Sequence, residues 1–215
     1  MSLQVWLPLN GTLENKGLDT VTVTNNGATI DSNGKIGQCY YFNGSSYIKI
    51  SLPSSLTSIK NTTISAWIKS TSNTVALGGI SHDSTSAVAA LTYTTSGWEF
   101  TGGSYLYMAG GSIANTSVWH HVACVCDDTT ATSYLDGSVV VSKKYTDIGT
   151  LNFSLGSSNF IEIGCDHPGG DEYLTGYVND FRIYDNALSE KDILSLYNNN
   201  AYIDSNNNIH GEIRA

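Results

Sequence analysis

Acidic residues at alternate positions are the first feature of this 215-residue sequence that could support chemistry. Glu162 and Asp166 flank Gly164 in the segment NFIEIGCD, and period-two alternation would place all three on one strand face. Retaining glycoside hydrolysis needs two carboxyl groups about 5 Å apart, one as nucleophile and one as acid. This segment lacks a middle acid, and its second acid is an Asp at a strand end. The spacing therefore favours a solvated strand face over a catalytic pair.

The histidines and the other acids form no second catalytic set. His120 and His121 are adjacent in a predicted strand and so point to opposite faces. His82-Asp83 and Asp166-His167 fall in predicted loops, and Asp127-Asp128 is typical of a tight turn between strands. The sequence has no G-x-S-x-G nucleophile elbow and no phosphate-binding glycine loop before a helix. We therefore predict a protein that is not an enzyme.

Aromatic and polar side chains offer a better-supported chemistry, which is the binding of neutral sugars. Tyr105 and Tyr107 are two apart in a predicted strand, which would place two phenol rings in line, and Trp98 opens the preceding strand. Inward packing of the two tyrosines is the open alternative. Polar loops would supply hydrogen bonds to sugar hydroxyls, and their candidate residues are His82, Asp83, His167, Asp171 and Tyr173.

Composition narrows the class of partner. The net charge is −9, and the 10 Lys and Arg residues form no cluster, which argues against duplex nucleic acid and against an anionic membrane surface. No apolar run approaches the roughly 18 residues of a membrane span, and residues 1–20 lack the pattern of a signal peptide. An acidic surface rich in Ser, Thr, Asn and Gly suits neutral glycans or Ca²⁺ better.

The four cysteines indicate buried thiols rather than a metal site. Cys124 and Cys126 share a strand face and cannot bond to each other without distorting that strand. The spacing of these two with Cys39 and Cys165 matches no zinc pattern. One or two disulfides remain open if the protein is exported.

The elements that must position all these residues are short strands. TTISAWIKS, WHHVACVCDD and NFIEIGCD alternate with period two, and Asn-Gly, Asp-Gly and Gly-Gly turn signals separate many such runs. One helix is predicted over residues 189–198, with Ser189 as N-cap, Asp192 in a capping box, and Leu188 and Ile193 as a hydrophobic staple. The pattern predicts an all-β, two-sheet antiparallel β-sandwich with one short C-terminal helix over residues 1–198. Residues 199–215 form a tail with the pattern of a small hairpin.

Several motifs in a fixed order carry a resemblance to a known family. They are VWLPLNGTLENKG at the start, GKIGQCYYFNG, the strand motifs above, and LTGYVNDFRIYDNALSEKDILSLY at the end. Over residues 1–198 the chain resembles the laminin G-like jelly roll of the concanavalin A-like lectin/glucanase superfamily. The opening motifs are similar to modules in tail or fibre proteins of phages and prophages of Gram-positive bacteria. The resemblance implies a jelly-roll sandwich that is usually non-catalytic, often glycan-binding, and often holds a structural Ca²⁺.

The resemblance also implies a place for the calcium ion. Asp180 lies in the closing motif, where the family usually has two acidic residues and this chain has Asn179 before the Asp. The matching carbonyl oxygens would come from Leu9-Asn10 and from Asn43-Gly44, so that the metal residues expected are Asp180, Asn10, Asn43 and Gly44. An interaction of Asp180 with Arg182 or with backbone, without a metal, is an equal alternative.

Alternation also predicts which side chains face the core. In the closing strand the inward set is Tyr177, Asn179, Phe181 and Ile183, and the outward set is Asp180, Arg182 and Tyr184. Trp67 and Trp119 are expected in the core.

These observations predict a non-catalytic recognition module for cell-surface carbohydrate, in a phage tail or another surface protein. Its location would be the virion or the extracellular space, and repetition in a homo-oligomer would raise its affinity. A structural fibre module without a glycan ligand is the first alternative, and a diverged glycoside hydrolase is the second. An exposed aromatic strip would favour recognition, whereas an apolar face completed by a second subunit would favour the structural role.

Overall fold

Period-two alternation in the sequence is realised as antiparallel strands. In Thr62–Ser70, Ala66 and Ile68 are buried in the space between two sheets, whereas Trp67 and Lys69 lie on the opposite side. The computed structural model describes residues 3–70, 75–82, 86–94, 97–102, 106–110, 117–147, 155–156, 158–170, 172–198, 202–203 and 209–210. The fold is all-β, with one short helix among these residues.

The elements follow in chain order. The first six strands are β1 Leu3–Leu7, β2 Val23–Asn26, β3 Thr29–Asp31, β4 Cys39–Asn43, β5 Tyr47–Ser51 and β6 Thr62–Ser70. The middle strands are β7 Val75–His82, β8 Ser86–Thr94, β9 Gly97–Gly102, β10 Leu106–Gly110, β11 His120–Cys126, β12 Thr130–Leu135 and β13 Ser138–Lys144. A 3₁₀ turn at Tyr145–Asp147 precedes β14 Asn159–Ile163, β15 Thr175–Tyr184, the helix α1 Glu190–Asn198, β16 Tyr202–Ile203 and β17 Ile209–His210.

The strands form two antiparallel layers, as the sequence predicts. Sheet A has the order β13-β12-β11-β6-β15-β4-β3, and β1 also pairs with β15. Sheet B has the order β10-β9-β8-β7-β14-β5-β2, and β16 pairs separately with β17. No helix in the part of the chain described by the structure combines the length and hydropathy of a membrane span.

The main core lies between the two sheets. Sheet B contributes Ile48 and Ile50 from β5 and Ile161 and Ile163 from β14, all with at most 1% of their surface exposed. Sheet A contributes apolar side chains to the same cluster, among them Phe42, Ile68, Val122, Cys124, Val178, Phe181 and Ile183. Each such aliphatic side chain stabilises the fold by about 1.5–3 kcal/mol relative to an exposed one.

A second cluster joins α1 to the outer face of sheet A. Ala123 and Val125 of β11 pack with Leu188 and Ile193 in this cluster. Ser189 Oγ accepts the amide N–H of Asp192 at 3.2 Å, and the Asp192 carboxylate accepts the amide N–H of Ser189 at 3.1 Å. The predicted capping box and hydrophobic staple are therefore confirmed.

Trp67 belongs to this outer side rather than to the core between the sheets. Its ring stacks on that of Tyr197 at 5.7 Å between centroids, and only 2% of Trp67 is exposed. The prediction that Trp67 is buried is confirmed, but α1 buries it rather than sheet B.

A β-bulge in β15 changes which of its residues face the core. Asn179 pairs with Trp67 and Arg182 with Ser65, so two residues of β15 lie opposite one residue of β6. The bulge is located at Asp180, whose backbone adopts a left-handed conformation with φ of 56°. Strict alternation is therefore wrong for Tyr177, which lies on the outer face while Val178 enters the core.

Candidate functional site

Four side chains from neighbouring strands form a row on the outer face of sheet A. Tyr177 of β15 pairs in register with Tyr41 of β4 on one side and with Lys69 of β6 on the other. Trp119 immediately precedes His120, which pairs with Ile68, so Trp119 lies beside Lys69. All four are partly exposed. We call Tyr41, Tyr177, Lys69 and Trp119 the aromatic row.

The rings of the aromatic row are held at defined positions. The centroids of Tyr41 and Tyr177 are 5.0 Å apart with a tilt of 49°, and those of Tyr177 and Trp119 are 6.4 Å apart. Lys69 Nζ lies 4.4 Å from the centre of the Tyr177 ring and 5.4 Å from that of Trp119. Because the cation is attracted to both ring faces, it ties the two aromatic side chains together. Three strand spacings give the row a length of about 14 Å.

The surroundings of Tyr177 favour the neutral form of its hydroxyl group. Desolvation raises the pKa of Tyr177, and the negative charge of Asp31 raises it further. Asp31 lies opposite Cys39 at the end of β3, next to the strand that carries Tyr41. The row thus offers ring faces, a neutral phenol, an ammonium group and a nearby carboxylate, which together can stack on a ring and hydrogen-bond to hydroxyls.

The aromatic row was not predicted from the sequence. Trp119 is partly exposed, so the prediction that it lies in the core is wrong. In CYYFN, Tyr40 and Phe42 are core residues, and alternation alone could have indicated that Tyr41 points outward. The neighbours of Tyr41 in the row come from distant strands, and only the sheet register brings them together.

Three of the predicted sugar-binding residues lie in strands of sheet B. Trp98 is in β9, where it pairs with Gly110, and Tyr107 is in β10, where it pairs with Thr101. His82 is the last residue of β7 and pairs with Asn159. Tyr105, Asp83 and Asp171 lie outside the described residues. The role predicted for these six residues stays a prediction.

The loop after β14 contains the remaining two predicted ligands. His167 Nδ1 lies 2.6 Å from Asp166 Oδ2, and Tyr173 forms an isolated bridge with Cys165. The Tyr173 hydroxyl accepts the amide N–H of Gly169 at 2.9 Å. These contacts bring His167 and Tyr173 into one loop but not to the aromatic row, which is on the other sheet.

The acidic residues considered for catalysis have structural partners. Glu162 is fully buried on β14, so the expectation of a solvated strand face is wrong for it. Asp166 engages His167, as described above. Asp127 caps the β11–β12 turn by accepting the amide N–H groups of Thr129 and Thr130, each at 2.6 Å, which confirms the predicted tight turn.

Asp180, the expected calcium ligand, lies in an ion pair. Its Oδ1 accepts the indole N–H of Trp6 at 2.7 Å and the Nε–H of Arg182 at 3.0 Å. The Arg182 guanidinium lies 4.7 Å from the centre of the Trp6 ring, and only 7% of Asp180 is exposed. The arrangement matches the metal-free alternative that the sequence left open.

The other expected metal residues do not come together around Asp180. Asn43 pairs with Thr175, five residues before Asp180, which corresponds to about 16 Å along the strand. The Gly44 amide donates to the Leu174 carbonyl at 2.9 Å, so the Asn43-Gly44 turn serves the β4–β5 hairpin. The Leu9 carbonyl, next to Asn10, accepts from the side chain of Asn179 at 3.3 Å.

The calcium site built from Asp180, Asn10, Asn43 and Gly44 therefore stays a prediction, and these contacts give it no support around Asp180. Among the described residues, no group of three or more His, Cys, Asp or Glu side chains could hold a metal ion.

Solved structures support the architecture. The chain is similar to the receptor binding domain of botulinum neurotoxin C/D mosaic serotype, with 17% identity, a TM-score of 0.67, and coverage of 91% of this chain and 51% of that one. The binding domain of Paraclostridial Mosquitocidal Protein 1 gives 15% identity, a TM-score of 0.70, and coverage of 92% and 52%. The chain thus spans about half the length of these two structures.

A third similar structure is nearly as long as this chain. Domain 4 of AbnA, a GH43 extracellular arabinanase from Geobacillus stearothermophilus, gives 22% identity and a TM-score of 0.65, with coverage of 91% of this chain and 98% of that one. At these identities the likenesses establish the fold.

Family membership follows from the sequence of the sandwich itself. No curated protein gives a significant match to this chain. The laminin G-type family model described as "Concanavalin A-like lectin/glucanases superfamily" matches residues 42–194, from the end of β4 into α1. That match covers more than half of the chain, in agreement with the two-layer architecture, and the chain belongs to the concanavalin A-like lectin/glucanase superfamily.

Proposed function

We propose that this protein is a non-catalytic carbohydrate-recognition module and that the aromatic row is its binding face. The observation that carries the proposal is the partly exposed set of Tyr41, Tyr177 and Trp119, fixed by Lys69 on a rigid sheet. Aromatic rings on a sheet can stack on the apolar faces of sugar rings without further ordering, so little conformational entropy is lost on binding.

The similar structures support recognition as the function. Domain 4 of AbnA was solved in complex with arabinotriose, and 98% of that domain is covered by the match to this chain. The botulinum and mosquitocidal structures are described as binding domains. We extend to this chain only the class of ligand seen in domain 4 of AbnA, a carbohydrate, and propose a cell-surface carbohydrate as its form here.

The carboxylates support a non-catalytic role. Glu162 is fully buried and Asp166 is engaged with His167, so the pair that the sequence offered for glycoside hydrolysis is not presented to a substrate. A phage tail or another extracellular surface protein is the setting we propose, and repetition in a homo-oligomer would multiply a weak single-site affinity.

The test compares the double variant Tyr177→Ala/Trp119→Ala with the parent protein on a glycan array and then by titration with the best oligosaccharide. We expect binding to weaken at least about tenfold, because each stacking ring contributes about 0.5–1.5 kcal/mol beyond its buried area. Since both side chains are partly exposed, the melting temperature should change little.

Phe160 provides the matched control. It is also partly exposed and lies 3.5 Å from Lys49 Nζ, but on sheet B. Phe160→Ala should leave glycan binding unchanged. Retained binding in the double variant, together with lost binding in Tyr107→Ala, would move the site to sheet B and contradict the assignment to the aromatic row.

A further inference from the structure

Three segments of the chain meet at the side chain of Asn179, which is fully buried. Its Nδ2 donates to the carbonyl oxygens of Pro8 at 2.9 Å, Gln38 at 3.1 Å and Leu9 at 3.3 Å. Its Oδ1 accepts the amide N–H of Ile36 at 2.8 Å. One amide group therefore links the end of β1, the turn before β4 and the bulge of β15.

Three carbonyl oxygens directed at one point form an electronegative cradle. Buried carbonyl groups need a positive partner, because an unsatisfied one loses its hydrogen bond to water on folding. A calcium ion could be such a partner and would bind the oxygen atoms at about 2.3–2.6 Å. Here the NH₂ group of Asn179 is the positive partner, at hydrogen-bond distances. Its two N–H groups are shared among the three carbonyl acceptors.

The adjacent acid does not supply a charge to this cradle. The Asp180 carboxylate is turned to Trp6 and Arg182, both within 3.0 Å of its Oδ1. Its amide N–H donates to the Pro8 carbonyl at 3.0 Å, which adds a further donor to one of the cradle oxygens. The bulge residue has a positive φ, and the two side chains diverge: Asn179 points to the three carbonyl oxygens and Asp180 points to the ion pair.

We infer that the Asn179 side chain takes the place of a structural cation in this protein. The junction of residues 8–9, 36–38 and 179–180 is closed without a metal, and the single change Asn179→Asp converts it into a calcium-dependent junction. In that variant one carboxylate oxygen replaces the NH₂ group and faces three carbonyl oxygens. This arrangement is repulsive until a cation enters between them. The inference is independent of the proposed function.

The test follows thermal unfolding of the parent protein and of Asn179→Asp in chelator and in excess CaCl₂. The parent should melt at the same temperature in both and should bind no Ca²⁺ by calorimetry. Asn179→Asp, purified in CaCl₂, should melt several degrees lower in chelator, and Ca²⁺ should raise its melting temperature in a saturable way by binding to the folded state.

Two control variants separate charge from simple loss of contacts. Asn179→Leu, of similar volume, should be destabilised and should not respond to Ca²⁺. Asp180→Asn weakens the ion pair but keeps Asn179, and it too should not respond. A fall in the melting temperature of the parent protein on chelation, or an Asn179→Asp variant indifferent to Ca²⁺, overturns the inference. If Asn179→Asp does not fold, the response of the parent protein to chelator and to CaCl₂ still tests the inference.

Discussion

A single buried histidine makes the outer side of sheet A sensitive to acid. The ring of His121 is 2% exposed and lies 5.4 Å from the Trp67 ring, edge to face, with the Tyr197 ring at 6.4 Å. Burial lowers the pKa of His121 to about 3; the nearby Arg182 charge lowers it further, and Asp136 acts in the opposite direction. The imidazole is therefore neutral in the folded protein at neutral and mildly acidic pH.

This depressed pKa predicts the direction of the pH dependence of stability. Below about pH 6.5 the unfolded state takes up a proton at His121 that the folded state does not. The stability contributed by the neutral His121 should therefore be fully present above that pH. As the pH drops, the free energy of unfolding should fall by at most about 1.4 kcal/mol per pH unit from this group. Urea unfolding between about pH 7 and about pH 5 measures the slope.

The replacement His121→Phe isolates the contribution of the histidine. Phe keeps an aromatic ring between Trp67 and Tyr197 but cannot bind a proton, so the slope in this pH window should become shallower. Asp136 titrates lower: although its burial acts to raise the pKa, hydrogen bonds from His120 and the His121 amide hold it below the ordinary value. An equal slope in both proteins would assign the acid sensitivity to other groups.

At the scale of single elements, the features that could be predicted are those that depend on residues close together in sequence. The capping box of Ser189 and Asp192 and the staple of Leu188 and Ile193 lie within six residues of one another, so the sequence contains all the information about where α1 begins. Strand alternation in β6 and β11 is equally local. These elements could therefore be predicted before any tertiary contact was known.

The bulge in β15 and the aromatic row could not be predicted in the same way. The bulge depends on Asn179 finding the carbonyl groups of Pro8 and Gln38, which are remote in sequence. Once the bulge shifts the parity of β15, Tyr177 moves to the outer face and meets Tyr41. The binding face proposed from sequence, on β9 and β10, followed period-two alternation alone and had no information on which strands are neighbours.

The N-cap of α1 gives a test at the element scale. Ser189→Ala removes the acceptor of the Asp192 amide and should destabilise the protein by about 1 kcal/mol. Because Trp67 and His121 are covered by the same helix through Tyr197, Trp fluorescence should report the loss together with circular dichroism. The exposed Lys191 is the control, and Lys191→Ala should change stability by less than about 0.5 kcal/mol. Equal effects of both variants would remove the special role of the cap.

At the scale of the whole molecule, β15 joins the two ends of the sandwich. It pairs with β1, β4 and β6, so the register Leu3↔Tyr184 closes the fold from its first described strand to its last long one. The two-layer architecture follows from alternation and turn signals, but this closure depends on long-range pairing. The sequence predicted the layers without the order of strands within them.

The four cysteines report whether this closed sandwich unfolds as one unit. All four are free and buried; Cys39, Cys124 and Cys126 belong to sheet A, and Cys165 follows β14 of sheet B. Burial raises the pKa of Cys39 to about 11, with the Asp31 charge adding to the effect, and burial likewise raises the pKa of Cys165 and of Cys124. We expect the native thiols to be inert to a thiol reagent, because all four are buried and the raised pKa values of Cys39, Cys124 and Cys165 disfavour their thiolate forms. In increasing denaturant all four should react in a single transition that coincides with loss of the β-sheet circular dichroism signal, and a reductant should leave the melting temperature unchanged.

A thiol that reacts ahead of the transition would identify a layer that opens alone, and a melting temperature lowered by reductant would reveal a disulfide in place of the free thiols.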